Sequence, residues 1–307
     1  MDAFQTNNQF RCIGSGCCGS VWTPDDAPDW VIKCEDGNNG RSIANDQLMH
    51  RRVLASIPPQ FPVQIPQSYD LIDANDPWWT THLAKFPPEK HRKACRGYFQ
   101  ERIPAVPLPA REMLIEPYCR ASLQGTAKAS RENEDCLIRI YAGARRRTTR
   151  PPMFFNLRNY GLHIDQMVEL GLDTVAKVDA NDVEFVLAPA TKAGDAVPRF
   201  EIAGQEMVVW MLDFDCVREM GQDVMGVEQA VTAVYRNDAY FPRPHFYGHT
   251  QDDVELWEMF KMHFRAESSR LLGGESAGLA EEWVRLVEEE GRRRAGRDCS
   301  VCNVKVT

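Results

Sequence analysis

At 307 residues, 43% hydrophobic and 26% charged, the chain has the composition of a folded protein with a sizeable core, which excludes extended disorder. A net charge of -8 excludes a chain-wide grip on nucleic acid, because phosphate binding needs dense Lys and Arg, and leaves only local basic patches open. No run of about 18 apolar residues occurs, and "MDAFQTNNQF" lacks the basic-then-apolar pattern of an export leader, so a cytoplasmic protein with no membrane partner and reduced thiols is expected.

Residues 10–22 and 29–35 read as strands of a small antiparallel sheet, with β-branched and aromatic residues bounded by Gly, Pro and Asp. "SIANDQLMHRRVLASI" follows with Ile43, Leu48, Val53, Leu54 and Ile57 near helical spacing, closed by Pro58 and Pro59. The Pro- and aromatic-rich stretch 61–120 offers "FPVQIPQSYDLI" and "REMLIEPYC" as strand candidates. After the basic run "YAGARRRTTR", the spacing of Leu162, Ile164, Met167, Val168 and Leu170 predicts a helix ended by Gly171. Two apolar segments with acidic residues come next, "DANDVEFVL" (179–187) and "MVVWMLDFDCV" (207–217), with a turn-rich excursion or hairpin between them. Helical periodicity returns in "VEQAVTAVYRND", "DVELWEMFKMHFRAESSRLL" and "AGLAEEWVRLVEEEGRRR". These elements predict an α+β fold in three parts: an N-lobe over 1–120, a mostly helical C-lobe over 121–275, and a C-terminal helix and tail over 276–307.

The motifs sharpen the fold expectation. Gly14, Gly16 and Gly19 form G-x-G-x-x-G, and the chain continues as strand rather than opening into a helix, so a dinucleotide-binding turn is the poorer reading. A Gly-rich hairpin followed by Lys33 in an apolar strand resembles the N-lobe of protein kinases. "DANDVEFVL" aligns on the kinase catalytic loop and "LDFDC" on the Asp-Phe-Gly segment, which puts Asp179 at the catalytic aspartate and Asp213 at the metal-binding one. The departures are equally plain: Glu184 replaces the second metal-binding Asn, Asp215 replaces the glycine after Asp213-Phe214, and no His-Arg precedes Asp179. The helix at 43–57 holds no glutamate to pair Lys33, Asp46 being its only acid. A working protein kinase is therefore not expected. Cys17, Cys18 and Cys34 in the glycine-loop region read as small packing residues. Cys299 and Cys302 form one Cys-x-x-Cys pair with no second pair to complete four zinc ligands, so no metal is expected.

"NDQLMHRRVL", "FQERIPAVP", "LIEPYCR", "LRNYGLHIDQMVELGLD", "DANDVEFVL", "VVWMLDFDC" and "VYRNDAYFPRP" together resemble a family of fungal proteins long without an assigned function, whose members include the arginine-containing cyclodipeptide synthases. The resemblance runs from about residue 10 to residue 270. It implies a tRNA-dependent enzyme of secondary metabolism that joins arginine from arginyl-tRNA to a second aminoacyl group as a diketopiperazine. No cofactor is implied, because an aminoacyl ester is already activated; the chemistry needs an amine deprotonated, two esters oriented and an oxyanion stabilised. Under this reading Asp179, Asp182 and Glu184 form the reactive centre, as general base and as partner of the arginyl guanidinium. Asp213 and Asp215 complete an acidic pocket, Lys33 holds an acid or meets a tRNA phosphate, and Gly14, Gly16 and Gly19 line the substrate side. Arg145, Arg146 and Arg147, with Arg92 and Lys93, are the candidate tRNA contacts. One departure stands out: a helix of about five turns is expected just before the catalytic loop, and "GLDTVAKVDANDVEF" leaves only a few residues for it. Two competing readings stay open, an ATP-dependent small-molecule phosphotransferase and a pseudokinase-like binding protein.

Overall fold

The computed structural model describes the chain except residues 1, 17–18, 27–28, 38–40, 59, 89–92, 171, 173–183, 192–196, 237–239, 246–248, 273–276 and 303–307, and for 277 and 296–302 it describes the backbone alone. The protein is α+β and divides into two compact units. The first comprises Met1–Arg139, Pro151–Tyr160 and Val183–Val217, so it runs on past residue 120 and takes back two later segments; the second comprises Ile140–Arg150, Gly161–Asp182 and Arg218–Thr307.

The first unit opens with β1 (Phe10–Ser15), β2 (Ser20–Pro24), β3 (Trp30–Cys34), α1 (Ile43–Ser56), β4 (Ser68–Ile72), α2 (Pro77–His82) and β5 (Gly97–Glu101). The strands form an antiparallel sheet of order β1-β2-β3-β5-β4, with α1 inserted in sequence between β3 and β4. Its core is aromatic. Phe4 stacks on Phe99 with ring centroids 4.4 Å apart and Phe10 on Phe86 at 4.3 Å, while Trp22, Trp30, Trp78 and Trp79 fill the space around them. The Pro- and aromatic-rich stretch supplies Ile72, Trp78, Trp79, Phe86 and Phe99 of this cluster, the two tryptophans from α2, whose N-terminus is capped by the Asp76 carboxylate accepting from Trp78 N–H at 2.8 Å.

Two expectations are corrected here. "REMLIEPYC" lies in a helix, α3 (Leu108–Tyr118), not a strand: Pro107 and Pro109 start it, and its buried Ala110, Leu114, Ile115 and Tyr118 follow the 3.6-residue period. On α1 the buried face is Ile43, Asp46, Gln47, Met49 and His50, while Leu48 is 60% exposed. The apolar spacing misleads because the inward face of this helix is polar: Asp46, Gln47 and His50 each make at least one hydrogen bond.

The first unit continues with α4 (Ala121–Ala129) and the start of β6 (Ile138–Tyr141); after β7 (Tyr160–His163), it resumes with β8 (Glu184–Ala188), β9 (Phe200–Ile202) and β10 (Gln205–Leu212). Ile138 and Arg139 of β6 pair with β8, β8 with β10, and β10 with β9, all antiparallel. The expected hairpin is present in β9–β10, where Ala203 and Gly204 both have positive φ (50° and 71°), the signature of a two-residue type I′ turn. Gln64 docks beside β10: its N–H donates to Val209 O at 2.9 Å and its carbonyl accepts from Met211 N–H at 2.8 Å.

In the second unit α5 (Ile164–Glu169) is much shorter than the predicted helix, because Tyr160–His163 is strand and a capping box between His163 and Gln166 begins the helix there. Gly171, its expected end, lies outside the described residues. Val168, read as part of the apolar face, is exposed. α6 (Val224–Arg236), α7 (Gln251–Leu272) and α8 (Ala277–Cys302) follow as expected, with α8 packed on α6 and α7. Tyr235 O–H donates to Val287 O at 2.7 Å, and Gly291 is required because a Cβ there would lie 2.7 Å from Pro244 O. Among the described residues no helix is long and apolar enough to cross a membrane.

Candidate functional site

The chemistry of the first unit gathers around Lys33. β3 is buried along its whole length, so Lys33 sends an ammonium into low dielectric and needs compensating charge. Lys33 Nζ donates to Asp46 Oδ2 at 2.5 Å and to Asp213 Oδ1 at 2.8 Å. Burial alone would lower the lysine pKa, but the fields of Asp213 and Asp46 outweigh it and hold the pKa well above the ordinary value. The helix that holds no glutamate for Lys33 supplies its one acid instead: Asp46, one turn into α1, does the pairing that a longer glutamate would do elsewhere.

Asp46 has no exposed surface and is fully engaged. Besides Lys33, Phe214 N–H donates to its Oδ1 at 2.9 Å, and the Tyr98 hydroxyl lies 3.3 Å from Oδ2. Burial, the largest influence, pushes its pKa up despite Lys33, with Asp213 acting in the same direction. Asp213 goes the other way: burial would raise it, but Lys33, then Arg139 and Arg41, bring it below the usual carboxylate range. One ammonium thus serves two carboxylates, one kept ionised and the other pushed toward the neutral acid.

The segment 213–217 is held in place by α1 and by Arg41 just before it. Asp46 takes the Phe214 N–H, Asn45 Nδ2 donates to the carbonyls of Asp215 (3.0 Å) and Val217 (3.3 Å), and Arg41 Nη1 donates to Asp215 Oδ2 at 2.7 Å and contacts Cys216 Sγ. His50, one turn beyond Asp46, stacks on the Phe214 ring at 4.9 Å while its Nε2 meets Pro66 O at 2.7 Å; burial lowers its pKa to about 4, so it is neutral at pH 7. Asp213 sits at φ 67°, in the left-handed region that costs a non-glycine residue about 1 kcal/mol or more. The contacts on both sides of it sustain that conformation.

The other expected site residues fall in three groups. Glu184 opens β8 and is ion-paired with Arg139 on the neighbouring strand at 2.5 Å, and Arg139 also acts on Asp213, so Glu184 belongs to the same charged region. The glycines differ among themselves. A turn joins Gly16 N–H to Gly19 O at 2.8 Å, and a Cβ on Gly19 would lie 1.8 Å from Cys34 O, whereas a Cβ on Gly14 would make ordinary contact with Val21 and one on Gly16 would meet nothing. Arg145 and Arg146, in the second unit, are committed to carboxylates: Arg145 forks onto Asp253 (2.7 Å twice), and Arg146 onto Asp165 (2.6 Å) and Glu169 (2.7 Å). Arg147 and Lys93 are exposed. Asp179, Asp182, Arg92, Cys17 and Cys18 lie outside the described residues, as do the side chains of Cys299 and Cys302. Cys34 is fully buried in the aromatic cluster.

Sequence reasoning missed the roles of Asp46, Arg41, Arg139, Tyr98 and His50. The one available signal was register: Asp46 and His50 are i+3 and i+7 from the buried Ile43, so all three share a face. Elsewhere in the first unit a cavity of about 500 Å³ is lined by Asp29, Gln67, Tyr69, Glu101, Arg102 and Thr191. Glu101 there accepts from Gln67 N–H (2.9 Å) and Thr191 Oγ1–H (2.7 Å) and serves as a structural tie between strands and loop.

A model of the family DUF3669, described as "Zinc finger protein", matches residues 209–276. No curated protein and no solved structure matches the chain. The matched segment does not fit the zinc ligation its description names. It holds a single cysteine, Cys216, against Arg41, with His245, His249 and His263 as its histidines, one sulfur short of a Cys2His2 set. Among the described residues no group of three or more His, Cys, Asp and Glu side chains is placed to hold a metal ion.

Proposed function

We propose that the chain is an aminoacyl-tRNA-dependent cyclodipeptide synthase on a protein-kinase-like scaffold, joining arginine from arginyl-tRNA to a second aminoacyl group. The sheet order β1-β2-β3-β5-β4, with α1 between β3 and β4 and a β3 lysine paired to an acid of that helix, supports the scaffold reading. The observation that carries the functional reading is the commitment of the acids: Asp213 is spent on Lys33, Glu184 on Arg139 and Asp215 on Arg41. In kinase-type phosphoryl transfer the corresponding groups face metal and nucleotide. Here the protein's own cations face them instead. Asp213 keeps part of its side chain exposed beside its partners, and a planar guanidinium suits a carboxylate so placed.

Amide formation needs no phosphate chemistry. A neutral α-amine attacks the ester carbonyl carbon, the C–N bond forms, the ester C–O bond breaks, and the terminal ribose hydroxyl of the tRNA leaves with a proton. A second attack of the same kind closes the ring. Asp213, ionised at neutral pH and with its side chain 32% exposed, is the group we assign to the arginyl side chain, with Lys33 and Asp46 positioning it. Asp179 or Asp182 acts as the base, and the remaining basic side chains Arg147, Lys93 and Arg92 meet the tRNA backbone.

The test is incubation of the folded chain with a mixed pool of charged tRNAs and mass spectrometry for arginine-containing diketopiperazines. Product is expected, and Asp213→Asn, which the left-handed backbone tolerates, is expected to lower its rate at least 100-fold. Absence of product with every aminoacyl-tRNA from a folded sample removes the proposal. The Lys33–Asp46 pair also favours a second reading, a small-molecule phosphotransferase, which predicts stabilisation by magnesium and ATP with phosphate release. If neither activity is found, a binding protein of the same scaffold is left.

A further inference from the structure

Three thiols converge beside the glycine-rich turn of the first unit. Cys34 ends β3 with no exposed surface; Cys95 is half-buried two residues before β5; Cys12 is half-buried on β1, its thiol donating to Gly14 O at 3.2 Å. All three pack on the aromatic cluster. Cys34 pairs with Gly97 across β3 and β5, and the ladder continues through Glu35 N–H to Arg96 O at 2.8 Å. Alternation then puts Cys95 on the same face as Gly97, diagonal to Cys34. Cys34 and Cys95 therefore share one side of the sheet, both packed against the aromatic cluster.

We propose that Cys95 and Cys34 form a hydroperoxide-sensitive dithiol pair whose oxidation cross-links the end of β3 to the start of β5. The Cys95 thiolate attacks the distal oxygen of the hydroperoxide; the O–O bond breaks, Cys95 becomes a sulfenic acid and the alkoxide leaves, taking up a proton as alcohol or water. Cys34 then gives up its proton, its sulfur attacks the Cys95 sulfur, and hydroxide leaves as water. In sum, two thiols and one hydroperoxide give one disulfide, one alcohol and one water. Access assigns the roles, since oxidant reaches the half-buried Cys95 and not the enclosed Cys34. Burial, followed by the contact with Cys95, holds the Cys34 thiol well above its ordinary pKa, which suits a partner that stays protonated until the sulfenic acid forms beside it. The cross-link would sit one residue from Lys33 and directly beneath Gly19, which rests on the Cys34 carbonyl. The inference is independent of the proposed reaction.

The full chain, folded and reduced, is treated with excess hydrogen peroxide at pH 8, alkylated, and digested without reductant. The expected result is a peptide pair joining Cys34 to Cys95, two hydrogens lighter than the sum of the separate peptides and released by dithiothreitol. In Cys34→Ala, a dimedone adduct is expected to accumulate on Cys95 at least tenfold over the native chain, since the resolving thiol is gone. The proposal is overturned if Cys34 stays fully reduced while Cys95 passes to sulfinic acid, or if Cys95 pairs with Cys12 instead. It is equally overturned if neither thiol reacts while exposed thiols added to the same solution are consumed.

Discussion

In the second unit Arg145 lies fork to fork against Asp253, one cation for one carboxylate, and Thr250 completes the cage through its N–H and hydroxyl, both 2.8 Å from Asp253 Oδ2. In the first unit Lys33 answers two carboxylates with a single charge. The first arrangement is closed: burial would raise the Asp253 pKa, but Arg145 and Thr250 bring it below the ordinary range. The second leaves Asp46 pushed up, Asp213 pulled down, and a left-handed backbone at Asp213 to be sustained. A balanced pair at a helix start is a staple for α7. A lysine shared by two carboxylates, one of them partly exposed, is where we propose that an incoming cation binds.

The largest expected effect comes from emptying the centre of the triad. Lys33→Met leaves Asp46 buried without a counter-charge and is expected to destabilise the chain by about 3–5 kcal/mol in urea titration; a loss under 1 kcal/mol would mean that the triad does not hold the first unit together. Next is acidification. The folded pKa of His50 is about 4 against an ordinary 6.5, so its contribution is fully present above 6.5 and is lost as pH falls toward 4. That amounts to on the order of 3 kcal/mol. His50→Leu is expected to flatten stability against pH in that window. Asp253 and Asp165, whose pKa values are lowered, keep their contribution down to the ordinary carboxylate range and lose it only below. Stability of His50→Leu that still falls as steeply from pH 6.5 to 4 as in the native chain would refute this role of His50.

Smaller still is Arg145→Met, expected to cost about 2 kcal/mol, because Thr250 still satisfies part of the buried Asp253. Denaturation of this variant should leave the pH response near His50 unchanged, and altered titration between pH 6.5 and 4 would tie the two clusters together. The smallest effect belongs to Leu48→Lys, within about 0.5 kcal/mol by thermal unfolding, since Leu48 points outward from the helix that carries Asp46 and His50. A cost above 2 kcal/mol would restore the apolar reading of α1.

Most secondary elements were legible from local pattern: the glycine turn between strands, the helix from Ser42 to the double proline, the hairpin before the acidic segment, and the three C-terminal helices. Where the reading went astray, long-range partners had changed what a face of the chain must look like. Leu48 was read as part of the apolar spacing and is solvent-facing, while Asp46, noted only as the helix's one acid, and His50, not singled out at all, are among the most buried residues of α1. "REMLIEPYC" was read as a strand candidate, and its 3.6-residue burial shows a helix instead.

By itself the sequence determined the strand-turn-strand opening, the lysine on β3 and the acidic segment after β10, because each depends on neighbours a few residues away: glycine where backbones approach, alternation in strands, acids beside apolar runs. Only the tertiary structure decided which acid meets Lys33 and which cations meet Asp215 and Glu184. Those partners come from positions 13 to 180 residues apart in the chain, and the direction in which each carboxylate's pKa moves follows from the burial and charge that assembly alone creates.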